Sequence, residues 1–236
     1  MASMGVKACW VIRFTRRFAK IRPDDFIQYY LAGVLRPQTV IIGDDFYFGH
    51  NRRGTVRALR QQGRQSGFEV LVVPTRVRGT SKISSSRIRR DIAAGDLDHA
   101  ARLLGRPFSV WGRVVRGDGR GRRLGYPTAN IHPSGHILPP SGVYIVQVQI
   151  GRRTFKGVAN VGRRPSFKTI AAVNLEVHLF AFKKNLYGNN ILVRFYRKIR
   201  DEKIFRSQDE LARRIHRDEK EAKQWFARHR LPPPER

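Results

Sequence analysis

Cysteine is almost missing from this chain. Cys9 is the one cysteine in 236 residues, which excludes an internal disulfide framework and points to a reducing, cytosolic compartment. Long apolar runs are missing too. None approaches the roughly eighteen residues that a membrane-spanning helix needs, and the opening Met1–Lys7 lacks the apolar core of a signal peptide. Acidic residues are scarce: 18 Asp+Glu stand against 47 Lys+Arg, a formal net charge of +29. That surplus has two readings: a nucleic-acid binder that neutralises phosphates, or a basic enzyme of anionic substrates with arginine as its solubilising residue. The basic residues are interleaved with apolar periodicity along the whole chain instead of gathered in a tail. This favours the second reading and leaves nucleic acid a non-specific contact at low salt. Apolar residues are not scarce. At 41% hydrophobic and 10% aromatic, the chain can build one large core or two modest ones.

The most concentrated stretch runs from Gly117 through Asp-Gly-Arg-Gly-Arg-Arg-Leu-Gly-Tyr-Pro-Thr-Ala to Asn130. Glycines without Cβ let backbone N–H groups approach a phosphate closely. Arginines add fixed charge in a fork that suits phosphate oxygens. Thr128 and Asn130, two apart on an extended Pro-led segment, put two neutral oxygen ligands on one side of the chain. Mg²⁺ takes few protein ligands and completes its shell with phosphates and water. The stretch therefore reads as a Mg²⁺–nucleotide site, or else as a basic hairpin loop before an Asn-capped turn.

In chain order, Ala8–Ile12 reads as a short strand. Pro23-Asp-Asp then opens a helix whose apolar face is Phe26, Ile27, Tyr30, Leu31 and Val34. Strand Thr39–Ile42, a helix over about Arg53–Gln62 and strand Phe68–Val73 alternate as in a parallel sheet with crossover helices. Ser-capped and Gly-terminated helices follow over Ile83–Arg89 and Asp96–Leu104. Near Gly105–Phe108 the pattern changes to short alternating strands, Ser109–Val115, Gly142–Ile150, Arg153–Val161, Ala172–Phe182 and Asn190–Ile199, which suggests a small closed barrel. Ser207-Gln-Asp-Glu210 is a capping box before a helix with Leu211, Ile215, Ala222, Trp225 and Phe226 on one face. Two domains are expected, 1–106 and 107–236.

Gly125-Tyr-Pro-Thr-Ala-Asn130, Gly142-Val-Tyr144, Gly157-Val-Ala-Asn-Val-Gly162-Arg-Arg-Pro-Ser-Phe167 and Leu175-Glu-Val-His-Leu179 follow in that order. Together they resemble the riboflavin kinase module of the bacterial bifunctional riboflavin kinase/FAD synthetases, with Ser166 where that family usually has Thr. The first part resembles the family's FMN adenylyltransferase domain. Gly43, Asp45, Phe46, Phe48 and Gly49 match its Gly-x-Asp-Phe-x-Phe-Gly loop, and Ile83, Ser84, Ser85, Ser86 and Arg89 match its Ile-Ser-Ser-Thr-x-x-Arg motif. A Ser-capped helix start with an arginine offers N–H groups, hydroxyls and charge to a triphosphate. The family's His-x-Gly-His motif has no counterpart; Tyr47-Phe-Gly-His50 has tyrosine where the first histidine belongs and comes too late. The chain reads as beginning after the family's first strand–helix unit, with adenylyl transfer lost or impaired.

The resemblance implies a partial Rossmann-like α/β nucleotidyltransferase domain followed by a six-stranded antiparallel Greek-key β-barrel with a C-terminal helix. It also implies a kinase of riboflavin that uses ATP and Mg²⁺ to give FMN. By the same resemblance Glu176 is the catalytic base, with His178 on the same strand face as its rival. Thr128 and Asn130 hold Mg²⁺, and Gly117, Gly121, Arg122, Gly125, Pro127 and Thr128 bind the nucleotide. Arg200 lies near the flavin, or pairs at the surface with Asp201, and Phe205 anchors the last helix. Asp45, Phe46 and Phe48 match flavin-binding positions, while Ser84, Ser85 and Arg89 are the adenylyltransferase remnant. The remaining alternatives are a basic nucleic-acid-binding protein without catalysis and a flavin-binding remnant.

Overall fold

In the computed structural model, residues 5–78, 81–117, 119, 121, 124–133, 135–163 and 173–231 are described. They form two compact units, Met1–Ile83 and Ser84–Arg236. That division falls earlier than the composition change at Gly105–Phe108 because the two helices before that change pack with the barrel.

In the first unit, helix α1 (Pro23–Asp25) starts on a proline with Asp24 and Asp25 in its first turn. Both carboxylates suit the positive end of a helix. The helix continues as a π-helix over Phe26–Leu35, burying Ile27 and Leu31. Strand β1 (Thr39–Gly43) pairs in parallel with β2 (Glu69–Val73), and α2 (Val56–Ser66) makes the crossover. The Thr55 hydroxyl caps α2 at the Ala58 N–H. The core is Ile27, Leu31, Phe48, Leu59, Phe68 and Val70. A small hairpin, β3 (Val77–Arg78) and β4 (Ser81–Lys82), closes the unit. Ala8–Ile12 is not a strand. No described strand lies alongside to take its backbone groups, and Trp10 packs on Tyr30 instead, ring centroids 6.0 Å apart.

The second unit opens with α3 (Ser85–Ala94) and α4 (Leu97–Leu104), capped by the side chains of Ser84 and Asp96. Ile92, Leu97 and Ala100 of these helices belong to the barrel's core cluster. Six strands follow: β5 (Ser109–Val115), β6 (Thr128–His132), β7 (Gly142–Ile150), β8 (Arg153–Arg163), β9 (Val173–Leu179) and β10 (Asn190–Arg200). They close into a barrel in the order β10-β5-β6-β9-β8-β7, with every pair antiparallel. Helix α5 (Gln208–Arg228) starts at a Ser207 cap that accepts from the Glu210 N–H.

Alternation decides what each face does. On β9, Leu175, Val177 and Leu179 are buried in the barrel. Asn174, Glu176 and His178 must then point outward. On β6, Ala129 and Ile131 pack with the core, so Thr128 and Asn130 face the same outer side as Glu176. Over β7 and β8 the outer side carries Val143, Ile145 and Val158, which Ala222 and Phe226 of α5 cover. Burying each such side chain contributes about 1.5–3 kcal/mol.

Candidate active site

Strand register assembles the site. Antiparallel β6 and β9 set Thr128 opposite His178 and Asn130 opposite Glu176. On the other side of β9, β8 sets Asn160 opposite Glu176. The half-buried carboxylate of Glu176 therefore stands between two asparagines, one on each neighbouring strand. It accepts a hydrogen bond from Asn174 Nδ2 at 2.6 Å. The Nδ1 of His178 lies 2.9 Å from the Pro127 carbonyl. A carbonyl only accepts, so Nδ1 carries the proton.

The glycines of the β5–β6 connection are sites of close approach. A Cβ on Gly117 would lie 2.1 Å from Asn130 Nδ2, and one on Gly121 would lie 2.3 Å from the Tyr126 carbonyl and 3.3 Å from the Thr128 hydroxyl. Backbone thus presses directly on the two residues read as metal ligands. Tyr126 N–H donates to the Gly121 carbonyl at 2.8 Å, folding the loop back over Thr128. Gly125 needs its freedom for a different reason, a φ of +81° in the turn. Arg122 and Ser166 lie outside the described residues.

A cleft of about 350 Å³ opens over this surface, lined by Gly121, Tyr126, Thr128, Asn160, Glu176 and His178 on one side. Arg200, Phe205, Leu211 and Ile215 line the other side, polar then apolar. A second cleft of about 400 Å³ shares Thr128 with the first and is walled by Val114, Pro127, Leu179, Phe182, Leu186 and Tyr187. Thr128 therefore lies where the two clefts meet. Asn130, 7% exposed, is one β6 rung further in.

Arg200 does not pair with the Asp201 carboxylate. That group takes Lys198 at 2.5 Å, which holds its pKa below the usual carboxylate range, by hydrogen bonding first and charge second. The Arg200 guanidinium turns inward to Asp218 on α5 and lies over the Phe205 ring, 5.5 Å from its centroid. Phe205 thereby lines the cleft, while Ala222 and Phe226 anchor the helix. Sequence reasoning passed over Asp218. Its signal was there: it falls in the spacing Leu211, Ile215, Asp218, Ala222, a charge within an apolar stripe. Asn160 was also missed as a site residue, although it sits within the Gly157–Gly162 motif.

The other sequence-derived positions fall in separate places. In the first unit Asp45 pairs with Lys82, whose hydrogen bond and charge lower its pKa. Phe48 is buried in that unit's core, stacked on half-buried Phe46 at 5.6 Å. Ser84 caps α3 by accepting from the Arg87 N–H, and Ser85 and Arg89 are exposed on that helix in the second unit.

Residues 104–226 match the family model described as riboflavin kinase, and residues 1–87 match the one described as FAD synthetase. The chain is 41% identical over 229 residues to the bifunctional riboflavin kinase/FMN adenylyltransferase of Escherichia coli K12, covering 96% of this chain and 72% of that protein. It belongs to that family. The Bacillus subtilis enzyme of the same name is 35% identical over 227 residues, covering 95% of this chain and 71% of that one. A crystal structure described as a macrolide-efflux protein from Streptococcus pneumoniae superposes with a TM-score of 0.77 at 33% identity, covering 90% of this chain and 68% of that one. Among the described residues, no helix is long and apolar enough to cross a membrane.

The donor set fits magnesium bound through a nucleotide. Among the described residues there is no cluster of three or more His, Cys, Asp or Glu side chains that could hold a metal by itself. Thr128 and Asn130 instead offer neutral oxygens beside a single carboxylate, and the missing Cβ of Gly117 leaves room for the Asn130 amide. Such a site suits a cation that brings phosphates and water with it.

Proposed function

We propose that the chain is a cytosolic riboflavin kinase, transferring the γ-phosphoryl group of ATP to the 5′-hydroxyl of riboflavin to give FMN. The observation that carries this reading is the shared outer face of β6, β8 and β9, where Asn130, Glu176 and Asn160 stand on one rung and Thr128, Asn160 and Glu176 line one cleft.

Glu176 accepts the proton of the 5′-hydroxyl as its oxygen attacks phosphorus. The carboxylate is already oriented by Asn174 and flanked by Asn130 and Asn160, which fits a positioned base. Thr128 and Asn130 would hold magnesium, which would supply charge neutralisation on the phosphates. Gly117 and Gly121 bring backbone close to Thr128 and Asn130, and Gly125 turns the loop that covers the phosphates. The apolar cleft beyond Pro127 suits the adenine, because a triphosphate crossing Thr128 then points at Glu176. The cleft lined by Arg200, Phe205, Leu211 and Ile215 suits the flavin.

The finer reading is that these 236 residues make FMN and do not convert it to FAD. They contain no His-x-Gly-His segment, and Asp45 and Phe48, which match flavin-contacting positions, are engaged with Lys82 and with the core. Incubation with riboflavin, ATP and Mg²⁺, followed by chromatography, is expected to yield FMN without FAD. Absence of FMN overturns the kinase reading, and ordinary production of FAD overturns the finer one.

A further inference from the structure

Asp218 is 2% exposed, midway along α5. A carboxylate so far from water is costly unless its charge is matched, and here it is matched twice. Arg200 Nε lies 3.1 and 2.9 Å from its two oxygens, and Arg200 Nη2 lies 2.8 Å from Oδ2. Arg214, one helical turn earlier, places Nε 3.0 Å from Oδ1. Arg200 Nη1 donates to the Asp201 carbonyl at 2.9 Å.

These contacts decide what Arg200 can do. The Nε/Nη2 fork is the edge that would clamp a phosphate in two-point fashion, and it is already filled by Asp218. What Arg200 keeps is the plane of its guanidinium, whose central carbon lies over the Phe205 ring, 5.5 Å from its centroid. A planar cation held at its edge, beside Phe205, Leu211 and Ile215, makes a flat wall suited to a planar aromatic ring system.

We propose that Asp218 is a positioning residue for the acceptor. Set deep in the wall of the cleft, it fixes the guanidinium of Arg200, so that Arg200 and Phe205 hold the isoalloxazine ring while the ribityl chain reaches Glu176. This rests on riboflavin being the acceptor. It assigns Arg200 to ring recognition and not to the phosphates.

The test uses the full chain and two readouts: quenching of riboflavin fluorescence on binding, which needs no turnover, and the separate KM values for riboflavin and ATP. Asp218→Asn is expected to weaken riboflavin binding about tenfold or more and leave the ATP KM within about twofold. Asp218→Asn in an Arg200→Gln background is expected to add little, because both changes remove one contact. Asp218→Glu keeps the charge and is expected to recover part of the binding. It decides the matter if Asp218→Asn does not fold. The inference is overturned by unchanged riboflavin binding in a folded Asp218 variant, by equal losses for riboflavin and ATP, or by full additivity with Arg200→Gln. If the wild-type chain binds no riboflavin and makes no FMN, the kinase reading itself has failed. Wild-type turnover with indifferent Asp218 variants removes only the positioning role.

Discussion

Gly117 shows most sharply how one residue shapes this site. Any Cβ there would lie 2.1 Å from the Asn130 amide, far inside contact distance, and Asn130 is buried and cannot move aside freely. Gly117→Ala is therefore expected to displace Asn130, lowering turnover about tenfold or more and the melting temperature as well, because Asn130 is a buried residue of β6. Steady-state kinetics beside a thermal melt checks this. Unchanged turnover would mean that Asn130 has no part in the reaction. Gly125 is a different case. Its surroundings are open and only its φ of +81° restrains substitution, so the penalty there is local backbone strain.

Among the elements, β7 and α5 carry the site from behind. Tyr144 of β7 is fully buried and donates its hydroxyl to the Pro140 carbonyl at 2.6 Å. Burial first, and the Asp201 charge second, push its pKa up to about 12 from an ordinary 10.0. A phenol whose pKa is raised by folding contributes stability that is complete below the unfolded value and is lost as pH climbs through the folded one. Alkaline unfolding is thus expected to steepen between about pH 10 and pH 12, and Tyr144→Phe should flatten that limb in denaturant titrations at several pH values. Phe226, 5% exposed on the buried face of α5, is expected to cost about 3–5 kcal/mol when truncated to alanine. Chemical denaturation measures it, and a loss below about 1 kcal/mol would contradict the packing described.

Much of this level was legible in the chain. Short apolar-rich stretches bounded by Gly, Pro or Asn marked β5, β7 and β10, the Ser207 box marked the start of α5, and Leu175-Glu-Val-His-Leu179 announced a strand with Glu176 and His178 on one face. Short β6 was less legible, since Thr128–His132 carries only two apolar inward residues and its pairing depends on long-range closure with β9. Ala8–Ile12 misled because apolar content alone does not supply a neighbouring strand. The Arg200–Asp218 pair, eighteen residues apart, could not be read from local pattern, which suggested the adjacent Asp201 instead.

For the whole molecule, the net charge of +29 spread over both units predicts adhesion to any polyanion without a dedicated groove. Binding to duplex DNA is expected at low salt and should fall steeply between about 50 and 200 mM salt, with FMN formation by the washed protein unaffected. Tight binding that survives physiological salt would revive the nucleic-acid reading. The two compact units also differ in what they offer. The second holds a closed barrel with an assembled cleft, whereas the first has a two-stranded parallel sheet whose Ile41, Leu71 and Val73 remain largely exposed. The phosphotransfer reading is therefore built entirely from residues of the second unit. The most direct measurement compares FMN formation from riboflavin, ATP and Mg²⁺ by the wild-type chain and by Glu176→Gln, with matched thermal melts. The expected result is steady FMN production by the wild type and a loss of about 10²–10⁴-fold in kcat for the folded variant; a variant that turns over like the wild type would contradict the account.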